Sequence, residues 1–173
     1  MTADKPQRLT LIRHANAEQV SDVRDFERPL SRKGHSEASE MARRFQERGF
    51  VPELILVSAA VRTRETADTF AKVLGVAARR LQADDSLYLA DGDHIIEMIR
   101  ATGPRIGHLM VIGHNPGISS AAIALAPETV TGELPTCGAL TMTVHCANWK
   151  LIDRRCVRDT ERDAPRKLFD FGS

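Results

Sequence analysis

The apolar positions of this chain fall into dense short runs that alternate with stretches where they recur every three or four residues. Arg8 to Arg13 (RLTLIR), Leu54 to Val57 (LILV) and His108 to Ile112 (HLMVI) are the dense runs, and they predict buried strands. Between the first two, Ala38, Met41, Ala42 and Phe45 keep helical spacing behind Ser31, a helix-capping residue, and Gly49 is placed to end that helix. A second helix is predicted from about Arg62 to Leu74, with Ala67, Phe70, Ala71 and Leu74 on its apolar side and Gly75 behind. A short strand follows near Ala78 to Leu81, then a helix capped by Asp93 that carries Ile95, Ile96 and Ile99. Ile118 to Leu125 predicts another short helix, after Pro116-Gly117. Two last strands, Ala139 to His145 and Trp149 to Val157, are expected to pair through Cys146 to Asn148. From Asp159 the chain turns polar, which predicts a surface tail over 159–173 in which Leu168, Phe169 and Phe171 could dock.

Strands that alternate with helices predict a three-layer α/β/α sandwich around a mostly parallel sheet. No repeat, low-complexity tract or Ser/Gly linker breaks the pattern, so 1–173 is expected to form a single domain. A chain of 173 residues that is 42% hydrophobic can bury a core without disulfides or metal. Three cysteines, Cys137, Cys146 and Cys156, without close paired spacing predict reduced thiols. The polar stretch Met1 to Gln7 lacks the apolar centre of a signal peptide, and no run approaches the roughly 20 apolar residues of a membrane span. A cytoplasmic protein is expected. Twenty-four Lys and Arg against 23 Asp and Glu leave a net charge of +1, which excludes the basic excess of a dedicated nucleic-acid binder.

In a sheet of this kind ligands sit beyond the carboxyl ends of the strands. There the first strand ends in Arg13-His14, the second runs into Ser58 and then Arg62, and the third strong strand ends in Gly113-His114-Asn115. Two Arg and two His thus meet at one sheet edge in a nearly neutral protein, which predicts an anionic ligand. Arg forks suit phosphate oxygens, and helix N-termini near Arg62 and after Pro116 would add positive ends there. A neutral imidazole among such groups is placed to attack phosphorus and form a phosphoramidate, with Arg13, Arg62 and His114 stabilising the transferring group. Ser58 either caps the following helix or touches phosphate.

Three segments carry a family resemblance: LIRHANAEQ (Leu11 to Gln19), SAAVRTRETA (Ser58 to Ala67) and VIGHNPGIS (Val111 to Ser119). In that order they resemble the signatures of the histidine phosphatase superfamily. ERPLSRKG (Glu27 to Gly34), LYLADG (Leu87 to Gly92) and LPTCGAL (Leu134 to Leu140) are similar to its small SixA-type phosphohistidine phosphatases. The resemblance runs from about Leu9 to Trp149 and implies a phosphoglycerate-mutase-like fold with no metal or organic cofactor. It makes His14 the transiently phosphorylated nucleophile, Arg13, Arg62 and His114 the phosphate pocket, and Arg28 a candidate for the pocket rim or a substrate contact. It also implies a substrate, phosphohistidine on a signalling protein such as a histidine-phosphotransfer domain. Mutase-like relatives carry a catalytic Glu in the region that here reads Asp84-Asp85-Ser86-Leu87-Tyr88, so the acid is not assigned by position. Cys137 also departs from the usual small residue of its turn.

The missing Glu leans towards a P–N bond, because a leaving imidazole is basic enough to be protonated without a dedicated carboxylic acid, whereas an alkoxide is not. Glu18, Asp22, Asp25 or Asp85 could still supply a proton from a loop. Between Tyr88 and His108 there is room for one helix and no long lid, which fits a phosphorylated side chain on another protein. Two alternatives stay open: a phosphomonoesterase for a small phosphorylated metabolite, and a phosphate-binding module without catalysis. His35, His94, His108 and His145 are expected at the surface or in packing, and Arg64 is expected to be peripheral. No HxH, HExxH or CxxC spacing predicts a metal site, and neither GxGxxG nor GxxxxGK[ST] occurs.

Overall fold

The computed structural model describes residues 6–166. In chain order the first half holds strand β1 (Gln7–Arg13), helix α1 (Arg32–Glu47), strand β2 (Leu54–Ser58), helix α2 (Val61–Leu74) and strand β3 (Leu81–Asp84). The second half holds helix α3 (Gly92–Arg100), strand β4 (His108–Gly113), helix α4 (Gly117–Leu125) and strands β5 (Ala139–Val144) and β6 (Val157–Asp163). The strands form one sheet in the order β3-β2-β4-β1-β5-β6. The first four are mutually parallel, while β5 is antiparallel to β1 and β6 to β5.

Side-chain alternation on the strands divides the core into two layers. Leu9 and Leu11 pack with Leu109, Val111 and the isoleucines of α3 on one side. Ile12 packs with Met110, Ile112 and the apolar sides of α1 and α2 on the other. Each of these sheet residues is fully buried, and burying one such side chain stabilises the fold by about 1.5–3 kcal/mol. The three-layer α/β/α sandwich with a mostly parallel sheet is the architecture predicted. Ser31 caps α1 by accepting from the Gly34 N–H at 3.0 Å, and Gly49 and Gly75 take positive φ just beyond α1 and α2. Two glycines bring loops to the sheet's carboxyl edge. A Cβ at Gly34 would lie 1.9 Å from the Asn16 carbonyl oxygen, and one at Gly117 would lie 1.8 Å from that of Ala90.

Four sequence expectations are corrected. Ala78–Arg80 is a 3-10 turn, and the strand follows it at Leu81–Asp84, half-exposed at the sheet edge and so without a dense apolar run. The cap of α3 is Asp91, which accepts from the His94 N–H at 2.8 Å, with Asp93 in the first turn. Trp149 to Val157 is not a strand. Asn148 and Asp153 accept from Lys150 N–H (3.0 Å) and Arg155 N–H (2.8 Å), and these side-chain bonds form two 3-10 turns instead. The partner of β5 is β6, which occupies the start of the expected polar tail. Its polarity belongs to an edge strand, and it is tied to α1 by the ion pair of Arg44 with Asp163 and to the residue that caps α1 by that of Arg48 with Glu161. Leu168, Phe169 and Phe171 lie outside the described residues.

Candidate active site

The carboxyl ends of β1, β2 and β4 bring His14, Ser58 and His114 together, and the first turn of α2 adds Arg62. The backbone of His14 is fixed from two sides: its N–H donates to the Gly113 carbonyl (3.0 Å), and its carbonyl accepts from the Cys137 N–H (3.0 Å). Its ring Nδ1 lies 2.7 Å from the Ala15 carbonyl oxygen. A carbonyl only accepts, so Nδ1 carries the proton and Nε2 presents a lone pair. That lone pair faces Arg62, whose Nε lies 3.3 Å away. Burial lowers the His14 pKa to about 4, helped by Arg62, Arg13 and Arg28 and opposed by the bond to Ala15. At neutral pH the imidazole is uncharged.

Arg62 is 4% exposed and spends its fork on two edges. The edge made by Nη1 and Nη2 donates to Asp25, to the backbone oxygen at 2.6 Å and to Oδ2 at 3.0 Å. The edge made by Nε and Nη2 faces the two histidines, with Nη2 3.3 Å from His114 Nδ1. An acceptor at Nδ1 places the His114 proton on Nε2, which lies 2.8 Å from Ser58 Oγ. The two imidazoles stand 5.3 Å apart between centroids. Burial, then His14 and Arg62, lower the His114 pKa to about 3, against the opposing pull of Asp25. Ser58, fully buried, therefore orients His114. The N-cap of α2 is Ala60, without a side-chain cap bond.

Arg13 donates from Nη1 to the Leu134 carbonyl at 3.0 Å, while its Nε is buried without a hydrogen-bond partner. Leu134 belongs to the LPTCG loop, which also supplies the backbone contacts to Arg13 and His14. Within it Cys137 is buried with φ 54°, and burial holds its thiol well above the usual range. Arg28 sits in the loop after β1, donating to the Glu18 carbonyl (2.8 Å) and to Asp25 Oδ1 (2.9 Å). Arg64 is exposed, as expected of a peripheral residue.

Asp25 and Tyr88 complete the cluster. Tyr88 donates its hydroxyl to Asp25 Oδ2 at 2.5 Å, and its ring packs edge-on against His114 at 5.4 Å. The Tyr88 bond, with Arg28 and Arg62, holds the Asp25 carboxyl far below the ordinary carboxylate range despite some burial. The same bond raises the Tyr88 pKa, so the phenol keeps its proton. Sequence reasoning named Asp25 among four loop acids and did not single out Tyr88, because nothing in the chain relates positions 63 residues apart. Among the described residues no group of three His, Cys, Asp or Glu is arranged to hold a metal ion, and no helix is long and apolar enough to cross a membrane.

Residues 9–87 match the family described as the histidine phosphatase superfamily (branch 1). The chain is 33% identical over 153 residues to an uncharacterised chloroplast protein of Arabidopsis thaliana, covering 83% of this chain and 69% of that one. A solved structure of the SixA protein of Agrobacterium tumefaciens, itself proposed to be a phosphohistidine phosphatase, matches with TM-score 0.79 and 27% identity over 94% of this chain and 100% of that one. A protein histidine phosphatase SixA complexed with tungstate shares the fold at TM-score 0.73 and 19% identity, over 91% and 94%. So does a mycobacterial glucosyl-3-phosphoglycerate phosphatase at TM-score 0.63 and 15% identity, over 92% and 98%. The chain belongs to the histidine phosphatase superfamily. Within it the protein is of the SixA type, a phosphatase with the phosphoglycerate-mutase-like α/β fold.

Proposed function

We propose that this protein hydrolyses phosphohistidine on another protein, such as a histidine-phosphotransfer domain, through a phospho-His14 intermediate. One observation carries this reading: a neutral His14 with its Nε2 lone pair towards Arg62, beside a carboxyl, Asp25, that is held ionised by Tyr88, Arg28 and Arg62. The nucleophile is ready at neutral pH, while Asp25 has no proton to give a leaving group. That combination suits a P–N bond, whose leaving imidazole takes its proton without a carboxylic acid.

In the first step His14 Nε2 attacks phosphorus as the bond to the substrate nitrogen breaks, and that nitrogen takes a proton from solvent water. Arg13 and the Nε/Nη2 edge of Arg62 receive the phosphoryl oxygens. In the second step water attacks phosphorus, the P–Nε2 bond breaks, and orthophosphate leaves with His14 neutral again. Neither step as written uses a metal or organic cofactor. Each such donor contributes about 3–4 kcal/mol to the transition state if it resembles other preorganised oxyanion contacts.

The test compares kcat/KM for a histidine-phosphorylated phosphotransfer domain with that for a panel of small phosphate esters, with His14→Ala as the blank. His14-dependent turnover that favours the protein substrate is expected. Faster turnover of one small ester would keep the intermediate and move the enzyme to metabolite chemistry, as in the mycobacterial glucosyl-3-phosphoglycerate phosphatase that shares this fold. No turnover of either would favour the binding-module reading.

A further inference from the structure

Arg62 has five N–H donors in a rigid fork, and free rotation about its side chain would let either edge face the histidines. What fixes the choice lies behind it. The end-on edge, Nη1 and Nη2, is taken by one residue, Asp25, through its backbone oxygen and its carboxylate. The side-on edge, Nε and Nη2, is thereby left towards His14 Nε2 and His114 Nδ1, the side on which a transferring phosphoryl group would sit. Asp25 is itself fixed from two further directions, by the Tyr88 hydroxyl on Oδ2 and Arg28 Nη1 on Oδ1. Its loop is closed at the neck by the Glu18 N–H to Pro29 carbonyl bond (2.9 Å) and the Ala17–Leu30 bridge. Tyr88 is wedged between Phe26, edge-on at 4.9 Å, and His114. We propose that Asp25 and Tyr88 form a brace that aims the side-on fork of Arg62 at the phosphoryl group, which makes them positioning residues of the reaction.

This inference rests on the phosphate-pocket reading of Arg62. The division of the fork also opposes the idea that Asp25 stands where the phosphoryl group goes. A carboxylate in that place would occupy the edge that faces the histidines, and it occupies the other. The brace also accounts for why Asp25 is kept as an anion: only the carboxylate accepts from Arg62, Tyr88 and Arg28 at once.

A double-mutant cycle tests the proposal, because a residue that acts through Arg62 loses its effect when Arg62 has no fork to aim. The readout is the affinity for inorganic vanadate by calorimetry, which does not depend on the substrate, alongside kcat/KM on an aryl phosphate. Asp25→Ala is expected to weaken vanadate binding by about tenfold and Tyr88→Phe by about threefold, with Asp25→Asn falling between wild type and Asp25→Ala. In an Arg62→Lys background, which keeps the charge and drops the second edge, Asp25→Ala is expected to change binding less than about twofold. Tyr88→Phe keeps the ring packing, so it reads the brace even if Asp25→Ala disturbs the loop. Equal losses in both backgrounds would overturn the brace, as would tighter vanadate binding by Asp25→Ala. A cycle that closes as expected supports the brace even where phosphohistidine proves not to be the substrate, so the two claims fail separately.

Discussion

Strand β4 has a buried histidine at its start and another just past its end, and the two differ in the partners that surround them. His108 opens the strand and His114 follows its last residue; they are 5% and 2% exposed. Burial lowers both pKa values, to about 4 and about 3, so both rings are neutral at pH 7. His108 Nε2 pairs with Thr10 Oγ1 (3.0 Å), which in turn meets Thr141 Oγ1 (3.1 Å), a polar ladder across β4, β1 and β5. His114 instead faces an arginine fork, a second histidine and an ionised Asp25 linked through Tyr88. A neutral buried histidine is thus no mark of chemistry by itself. The polarity of the sheet separates the two. At the carboxyl ends the chain enters helix N-termini, which favour anions, whereas helices deliver their negative ends to the amino edge.

Substitutions at the two ends should separate by orders of magnitude in activity. His14→Ala is expected to abolish turnover, measured as phosphate release above the uncatalysed background. Arg62→Ala should lower kcat by about a hundredfold to a thousandfold, as for loss of one preorganised oxyanion donor, read in steady-state assays. Ser58→Ala leaves His114 Nε2–H buried without an acceptor and should cost about tenfold in kcat/KM, with the fold intact by circular dichroism. At the other end, His108→Gln should leave kcat/KM within about twofold while destabilising the protein by about 1 kcal/mol in urea unfolding, through loss of the bond to Thr10, whose hydroxyl keeps Thr141 as its partner.

The same comparison sets a pH dependence. The folded pKa values of His14, His108 and His114 lie below the ordinary 6.5, so the unfolded chain binds more protons than the fold between pH 6.5 and about 3–4. Stability is therefore expected to fall as pH drops through that window and to rise with pH inside it. Replacing His108 should flatten part of the slope without moving the activity. By NMR, the His14 ring proton should titrate near pH 4; titration near 6.5 would contradict its buried, arginine-flanked setting.

How much of this was legible in the chain follows from the range of the interactions. Dense apolar runs place β1, β2 and β4, and two histidines of the cluster, His14 and His114, stand one residue beyond β1 and β4, so their meeting at one sheet edge could be read directly. Strand β6 could not, because an edge strand with one face in water needs no apolar run, and its residues look like tail. The Trp149 segment misled because Trp149 and Ile152 are core residues while Asn148 and Asp153 curl the backbone into turns. The roles of Ser58, Asp25 and Tyr88 depend on partners 56, 37 and 63 residues away, and no spacing rule links such positions.

The central claim is that His14, and not its buried neighbours, carries the phosphoryl group. Rapid acid-free quenching of the protein with a phosphorylated donor, followed by peptide mapping, tests it most directly. An acid-labile, alkali-stable phosphate on His14 at Nε2 is expected, absent from His14→Ala and decaying at the rate of phosphate release. Phosphate found on His114 or on a carboxylate, or turnover at wild-type rate by His14→Ala, would contradict it.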